Sequence, residues 1–298
     1  MKGLNVAPVL MALAIIAAVV AAVGCARNVG EDIGPATLDE PVEEARQRDL
    51  HVAVACGVAG PYGEMKERFE HAHPEVTLHQ EIGNIVTMAE RLRDGRTSAD
   101  MFMSVGSVAL GKLHEEGLLL EAPMDFAEDR LVVLVPEGNP KGINKFEDLA
   151  ADGVETVAVA ASKSTPGHFA EMALRRAGLW ERIHDRLVRP DKPAMLKGFV
   201  SEGKADAAVM LLTCATKEAE MGEEPAEGVP GTEIALEVPH KYYDRLLCQI
   251  GILRNASDPE LAREFAEFVT TDEPQRILSR WDFAPCEGIG EKDASAGS

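Results

Sequence analysis

The residues best equipped for chemistry in this chain are its cysteines, Cys25, Cys56, Cys214, Cys248 and Cys286. Cys56 has the most telling setting. Val52 to Ala55 is a β-branched and small apolar run that reads as a buried strand, and Cys56 to Gly63 breaks it with three glycines and a proline. Tyr62, Met65 and Phe69 then keep helical spacing on one face, while Glu64, Lys66, Glu67 and Arg68 face water. A strand entering a helix through a glycine loop aims free N–H groups and the positive end of the helix dipole at one spot. Such a spot receives an anion or a thiolate, and a thiol there is easier to deprotonate. The sequence has no CxxC pair, so any metal centre must be assembled by the fold. In an oxidising compartment the default for four thiols is two disulfides.

The first residues read as an export signal. Lys2 precedes an apolar run from Val6 to Val23, and Ala22-Val23-Gly24-Cys25 is similar to a bacterial lipobox. That pattern implies cleavage after residue 24, a diacylglycerol on Cys25, and a body outside the cytoplasmic membrane; an uncleaved anchor helix is the alternative. Residues 25–49, with Gly30, Pro35, Pro41 and many acids, have no apolar period and read as a solvated tether. Thirty Lys and Arg against fifty Asp and Glu leave a net charge of −20, which argues against nucleic acid or an anionic membrane surface as partner.

From Leu50 onward strands and helices alternate. Strands at 76–81, 100–105 and 131–135 are separated by a helix through Ile85, Met88, Ala89 and Leu92 and another from Ser107 to Gly117. A second set follows: a helix near 145–150, a strand at 154–160, a helix at 167–176, another opening near Pro193, and a strand at 206–212. A strand at 246–253 then returns, followed by helices at 259–269 and 273–280. This predicts an α/β chain of two lobes, each a mainly parallel sheet flanked by helices, joined by two hinge crossings. The lobes are residues 50–132 with 246–298, and 133–245. Two such lobes enclose a cleft that closes on a ligand.

Several stretches carry a family resemblance: Leu50–Pro74, Ala99–Ser104 (ADMFMS), Phe126–Pro140 (FAEDRLVVLVPEGNP), Thr165–Ala170 (TPGHFA), Gly178–Trp180 (GLW), Val200–Ala215 and Trp281–Pro285. Together they resemble the periplasmic molybdate-binding proteins of ABC transporters, over about 235 residues in consistent order. The resemblance implies a type II periplasmic binding fold, a monomer, a small inorganic ligand, a permease as partner and no catalytic step. It also implies a location in the periplasm or on the outer face of the cell membrane.

The ligand positions implied by the resemblance hold unusual residues. The first serine position falls on Gly57 beside Cys56, and the second falls near Asn84 and Ile85. Pro166 and Pro193 stand where backbone N–H groups would donate, and proline has none to give. Thr213-Cys214 replaces a Thr-Asp pair, and Cys248 replaces a tyrosine. Cys56, Gly57, Asn84, Ser104, Thr213, Cys214 and Cys248 are therefore the expected ligand-binding residues. Cys56, Cys214, Cys248 and Cys286 are expected to hold a thiophilic metal ion, metalloid or iron–sulfur cluster. Two other readings stay open. One is an oxyanion held by different donors (Asn84, Ser104, Ser162, Ser164 and Thr213) with the cysteines structural, and the other is a thiol enzyme using Cys56 with His168 or His240.

Overall fold

The computed structural model describes residues 47–190, 192–218, 226–227 and 230–286. The export segment, the lipidation site Cys25 and the tether up to residue 46 lie outside them. The sequence carries the tether through Asp49, but the first strand, β1 (Arg48–Ala55), already begins at Arg48. It pairs with β2 (Val76–Gly83) from that residue on, Arg48 opposite Val76. A single 3-10 turn at Cys56–Val58 leads from β1 into α1 (Ala59–Ala72). After β2 come α2 (Ile85–Arg93), β3 (Met101–Val105), α3 (Val108–Glu115) and β4 (Met124–Asp129).

The second set opens with β5 (Leu131–Pro136), then β6 (Val157–Val159), α4 (Thr165–Arg176), α5 (Trp180–Ile183) and β7 (Leu187–Val188). It continues with α6 (Leu196–Ser201), β8 (Ala207–Leu211), α7 (Leu212–Thr216), the paired dipeptides β9 (Lys217–Glu218) and β10 (Ala226–Glu227), and β11 (Thr232–Glu237). The chain closes with β12 (Leu246–Ile252), α8 (Pro259–Val269) and α9 (Asp272–Arg280). Among the described residues there are two five-stranded sheets, ordered β2-β1-β3-β12-β4 and β11-β5-β8-β6-β7. Each is mixed. Parallel pairs sit at one side (β1 with β2 and β3; β6 with β7 and β8), and the strand returning from the other lobe joins antiparallel.

Burial follows the apolar spacing. Tyr62, Met65 and Phe69 of α1 are essentially inaccessible, and Phe69 meets Phe265 of α8 edge-on at 5.1 Å. Each such side chain contributes about 1.5–3 kcal/mol by leaving water. The opposite face of the first sheet packs Ala53, Ala55 and Phe102 against Met88, Leu92, Leu110 and Leu113 of α2 and α3. Covering both faces fixes where α2 and α3 begin, just beyond the carboxyl ends of β2 and β3.

Besides the dipeptide strands β7, β9 and β10, two longer strands were not legible as such. β4 carries Asp125, Glu128 and Asp129, which look like a solvated run, and each acid has a partner that excuses it. Gln249 donates to Asp125 at 2.6 Å, Arg245 pairs with Glu128 at 2.7 Å, and Asp129 is buried against Thr213. β11 is an edge strand, half-exposed and rich in glutamate. The strand expected over 154–160 is formed only at 157–159.

One residue, Arg130, separates β4, at the edge of the first sheet, from β5 of the second. The return crossing lies against it: the Val238 N–H donates to the Leu131 carbonyl at 2.8 Å, and the Leu131 N–H donates to the Tyr243 hydroxyl at 3.3 Å.

Candidate functional site: the cleft between the lobes

Three helices begin on one cavity of about 410 Å³, where α2 presents Ile85 and Val86, α3 Val108 and Ala109, and α4 Ser164 and Thr165. The first two helices follow strands of one sheet and α4 follows β6 of the other, so the cavity spans the lobes. Each start has a local cause. Asn84 caps α2, its side-chain oxygen accepting from the N–H groups of Val86 at 2.9 Å and Thr87 at 3.4 Å. Ser164 caps α4 by accepting from the Gly167 N–H at 3.3 Å, with Pro166 in the first turn. Ser107 makes no side-chain cap, so the first N–H groups of α3 are left for a ligand. The lobes touch here too, where the Thr165 hydroxyl donates to the Val105 carbonyl at 3.2 Å. Gly106 must be glycine, because its φ is +85° and a Cβ would lie 2.7 Å from the Thr165 methyl.

The lining is cationic for so acidic a protein. Lys112, Lys163, Arg93 and His168 face one carboxylate, Glu90. Glu116 takes Arg93 at 2.6 Å, whereas Lys112 and Lys163 form no ion pair with any described residue. Helix N-termini and ammonium groups favour the same guest, an anion.

The residues expected to hold ligand divide differently. Cys56 is exposed in the turn after β1 and is not among the residues that line the cavity; burial among its neighbours nonetheless raises its thiol, partly offset by the N–H groups of Gly57 and Cys56. Gly57 packs on Val105, with room for a Cβ only at 3.2 Å. Asn84 spends its oxygen on the cap. Ser104 is fully buried and donates to the Gly106 carbonyl at 3.3 Å. Ser162 is spent on Glu171. Thr213 is buried and gives its hydroxyl to Asp129 at 2.6 Å. Cys248 lies wholly buried in β12, within the core rather than on the cleft wall.

The four thiols are all free and do not form one centre. Cys214 feels Cys56, and Cys248 feels Cys286, so they sit as two pairs. Burial, then Asp129, pushes the Cys214 thiol up to about 12. Burial likewise raises Cys248 well above its ordinary value and Cys286 to about 11. Among the described residues no three His, Cys, Asp or Glu side chains meet as a metal-holding group. The expected cysteine-bound metal or iron–sulfur centre is thus not assembled by this fold. In a Cys25→Ser chain a thiol reagent should find Cys56 first, with Cys248 and Cys286 reacting only on unfolding. Equal native rates for all would contradict this burial.

Sequence reasoning passed over Lys112, Lys163 and Arg93. A signal existed for one of them: Lys163 sits in the Ala161–Pro166 loop, between a strand and the helix it feeds.

Two mixed sheets, two adjacent crossings and a ligand-sized cleft between them define a two-lobe binding protein. The chain belongs to the bacterial extracellular solute-binding protein family, whose pattern matches residues 50–284. It is similar to the molybdate-binding protein ModA of Mycobacterium tuberculosis, 28% identical over 242 residues, covering 80% of this chain and 85% of that protein. Among solved structures it is similar to the periplasmic molybdate-binding protein of Azotobacter vinelandii (TM-score 0.62, 17% identity, 80% of this chain and 100% of that one). Iron-bound HitA of Pseudomonas aeruginosa is as similar in fold (TM-score 0.63, 14% identity, 81% and 87%). These structures share the fold while naming different ligands.

Proposed function

We propose that this chain is the receptor of an ABC importer, capturing a small anion between its lobes and presenting it to the permease on closure. The observation that carries this is the convergence of three helix N-termini with Lys112 and Lys163 in a chain of net charge −20. The ModA relatives support it. In this reading the first sheet and its helices, up to the crossing at Arg130 and again from residue 246, move as one lobe and residues 131–245 as the other, tethered by lipid on Cys25, as a monomer without a catalytic step. A soft metal is the weaker reading, since among the described residues no three His, Cys, Asp or Glu side chains meet as a metal-holding group.

Asn84→Asp tests the anion reading. Aspartate caps a helix as well as asparagine, so stability should hold within about 0.5 kcal/mol. A negative charge at the mouth should weaken anion binding about tenfold or more, read by calorimetric titration with molybdate, sulfate and phosphate. Unchanged or improved affinity, or tight Cu(I) binding with no anion binding at all, would overturn the assignment.

A further inference from the structure

We propose that the captured anion is organic, a small molecule with two acidic groups on a short apolar body, rather than a bare inorganic oxyanion. This rests on the anion reading above and narrows it. The cavity of about 410 Å³ falls in the range that holds metabolite- or drug-sized ligands, far more room than one four-oxygen ion fills. Its walls are not built for a bare oxyanion either. Ile85, Val86, Val108 and Ala109 line it, and Val108 remains 43% exposed. Apolar wall gains nothing from an ion that keeps water around it, but gains from a carbon body that displaces that water.

The polar groups are also spread rather than focused. Pro166 offers no N–H, the Asn84 cap uses up the N–H groups of Val86 and Thr87, the Ser164 hydroxyl donates to the Ala161 carbonyl, and Thr165 donates to Val105. Enclosing a single dianion needs donors on every side. What the cavity offers instead is one ammonium from each lobe, Lys112 on α3 and Lys163 on the loop before α4. A guest with two separated acidic groups answers both lysines at once and ties the lobes together. The uncapped start of α3 receives one of those groups beside Lys112.

Calorimetric titration of the full mature chain decides this, with molybdate and inorganic phosphate set against phosphoenolpyruvate, succinate and glutarate. At least one organic anion should bind about tenfold tighter than either inorganic ion, the difference made by one additional charge-assisted contact. Lys112→Ala and Lys163→Ala should each lower that organic affinity about tenfold while leaving the melting temperature unchanged, both side chains being exposed. Tighter binding of molybdate or phosphate than of every organic anion overturns this inference and leaves the anion receptor standing. Indifference of organic binding to both lysines also overturns it. Absence of binding by all five probes overturns both.

Discussion

Gly167→Ala should destabilise the chain by about 3 kcal/mol or more and abolish ligand capture. A Cβ built there lies 2.1 Å from the Ala161 carbonyl oxygen, 2.5 Å from its carbon and 2.6 Å from the Ala160 carbonyl oxygen. These are backbone atoms at the end of β6 and cannot swing aside as a side chain would. To admit one methyl, either α4 must lift from the second sheet or the loop carrying Lys163 must be redrawn. Both moves break the Gly167 N–H to Ser164 cap and the contact between Thr165 and Val105. Urea unfolding gives the stability change, and titration on the surviving folded fraction gives the binding loss. A cost below about 1 kcal/mol would mean the loop yields freely and that this account of the cleft wall is wrong.

Asp129→Asn is expected to stabilise the protein at neutral pH, by about 1–3 kcal/mol, and to lose that advantage in acid. Burial raises the Asp129 carboxyl to about 6, against the hydrogen bonds from Thr213 and the Arg130 N–H that hold it down. An unfolded aspartate titrates near 3.9. Between those values the native chain keeps a proton that the unfolded chain has lost. The stability tied to that proton is therefore complete below the lower value and disappears as pH rises through the upper one. Asparagine does not titrate. Its oxygen can still accept from the N–H groups of Arg130 and Thr213, which now reach one carboxylate oxygen at 2.7 and 3.4 Å, and its amide can donate to the Thr213 hydroxyl. Melting temperatures compared at about pH 4 and about pH 8 give the answer. A gap between variant and parent that ignores pH, or a variant weaker at both, would refute the buried-charge account.

The sequence reading succeeded where one kind of pattern dominated. Tyr62, Met65 and Phe69, or Leu261 and Phe265, announce their helices because their neighbours all agree. It failed at Asp125, Glu128 and Asp129, where a strand hides behind acids whose partners lie more than 80 residues away in sequence. No local window holds Arg245, Gln249 or Thr213. The site shows the same division. The helix after Asn84 could be placed from its apolar spacing, whereas the one expected from residue 167 begins at Thr165 behind its Ser164 cap, and which groups remained unspent could not be read at all. Ser104, Thr213 and Cys248 seemed available because availability depends on tertiary partners, and Lys112 was passed over because nothing in its own helix marks it.

The placement of β12 bears on how the chain comes into being. This strand sits between β3 and β4 although more than a hundred residues of the other lobe are made before it. Until it arrives, β3 offers an unpaired edge and β4 has no sheet to join, so a nascent or truncated chain ending near residue 245 exposes sticky backbone. Completion of the first sheet therefore hinges on the last stretch synthesised, and a chain threaded through a membrane pore before that stretch docks has only its second sheet to unravel.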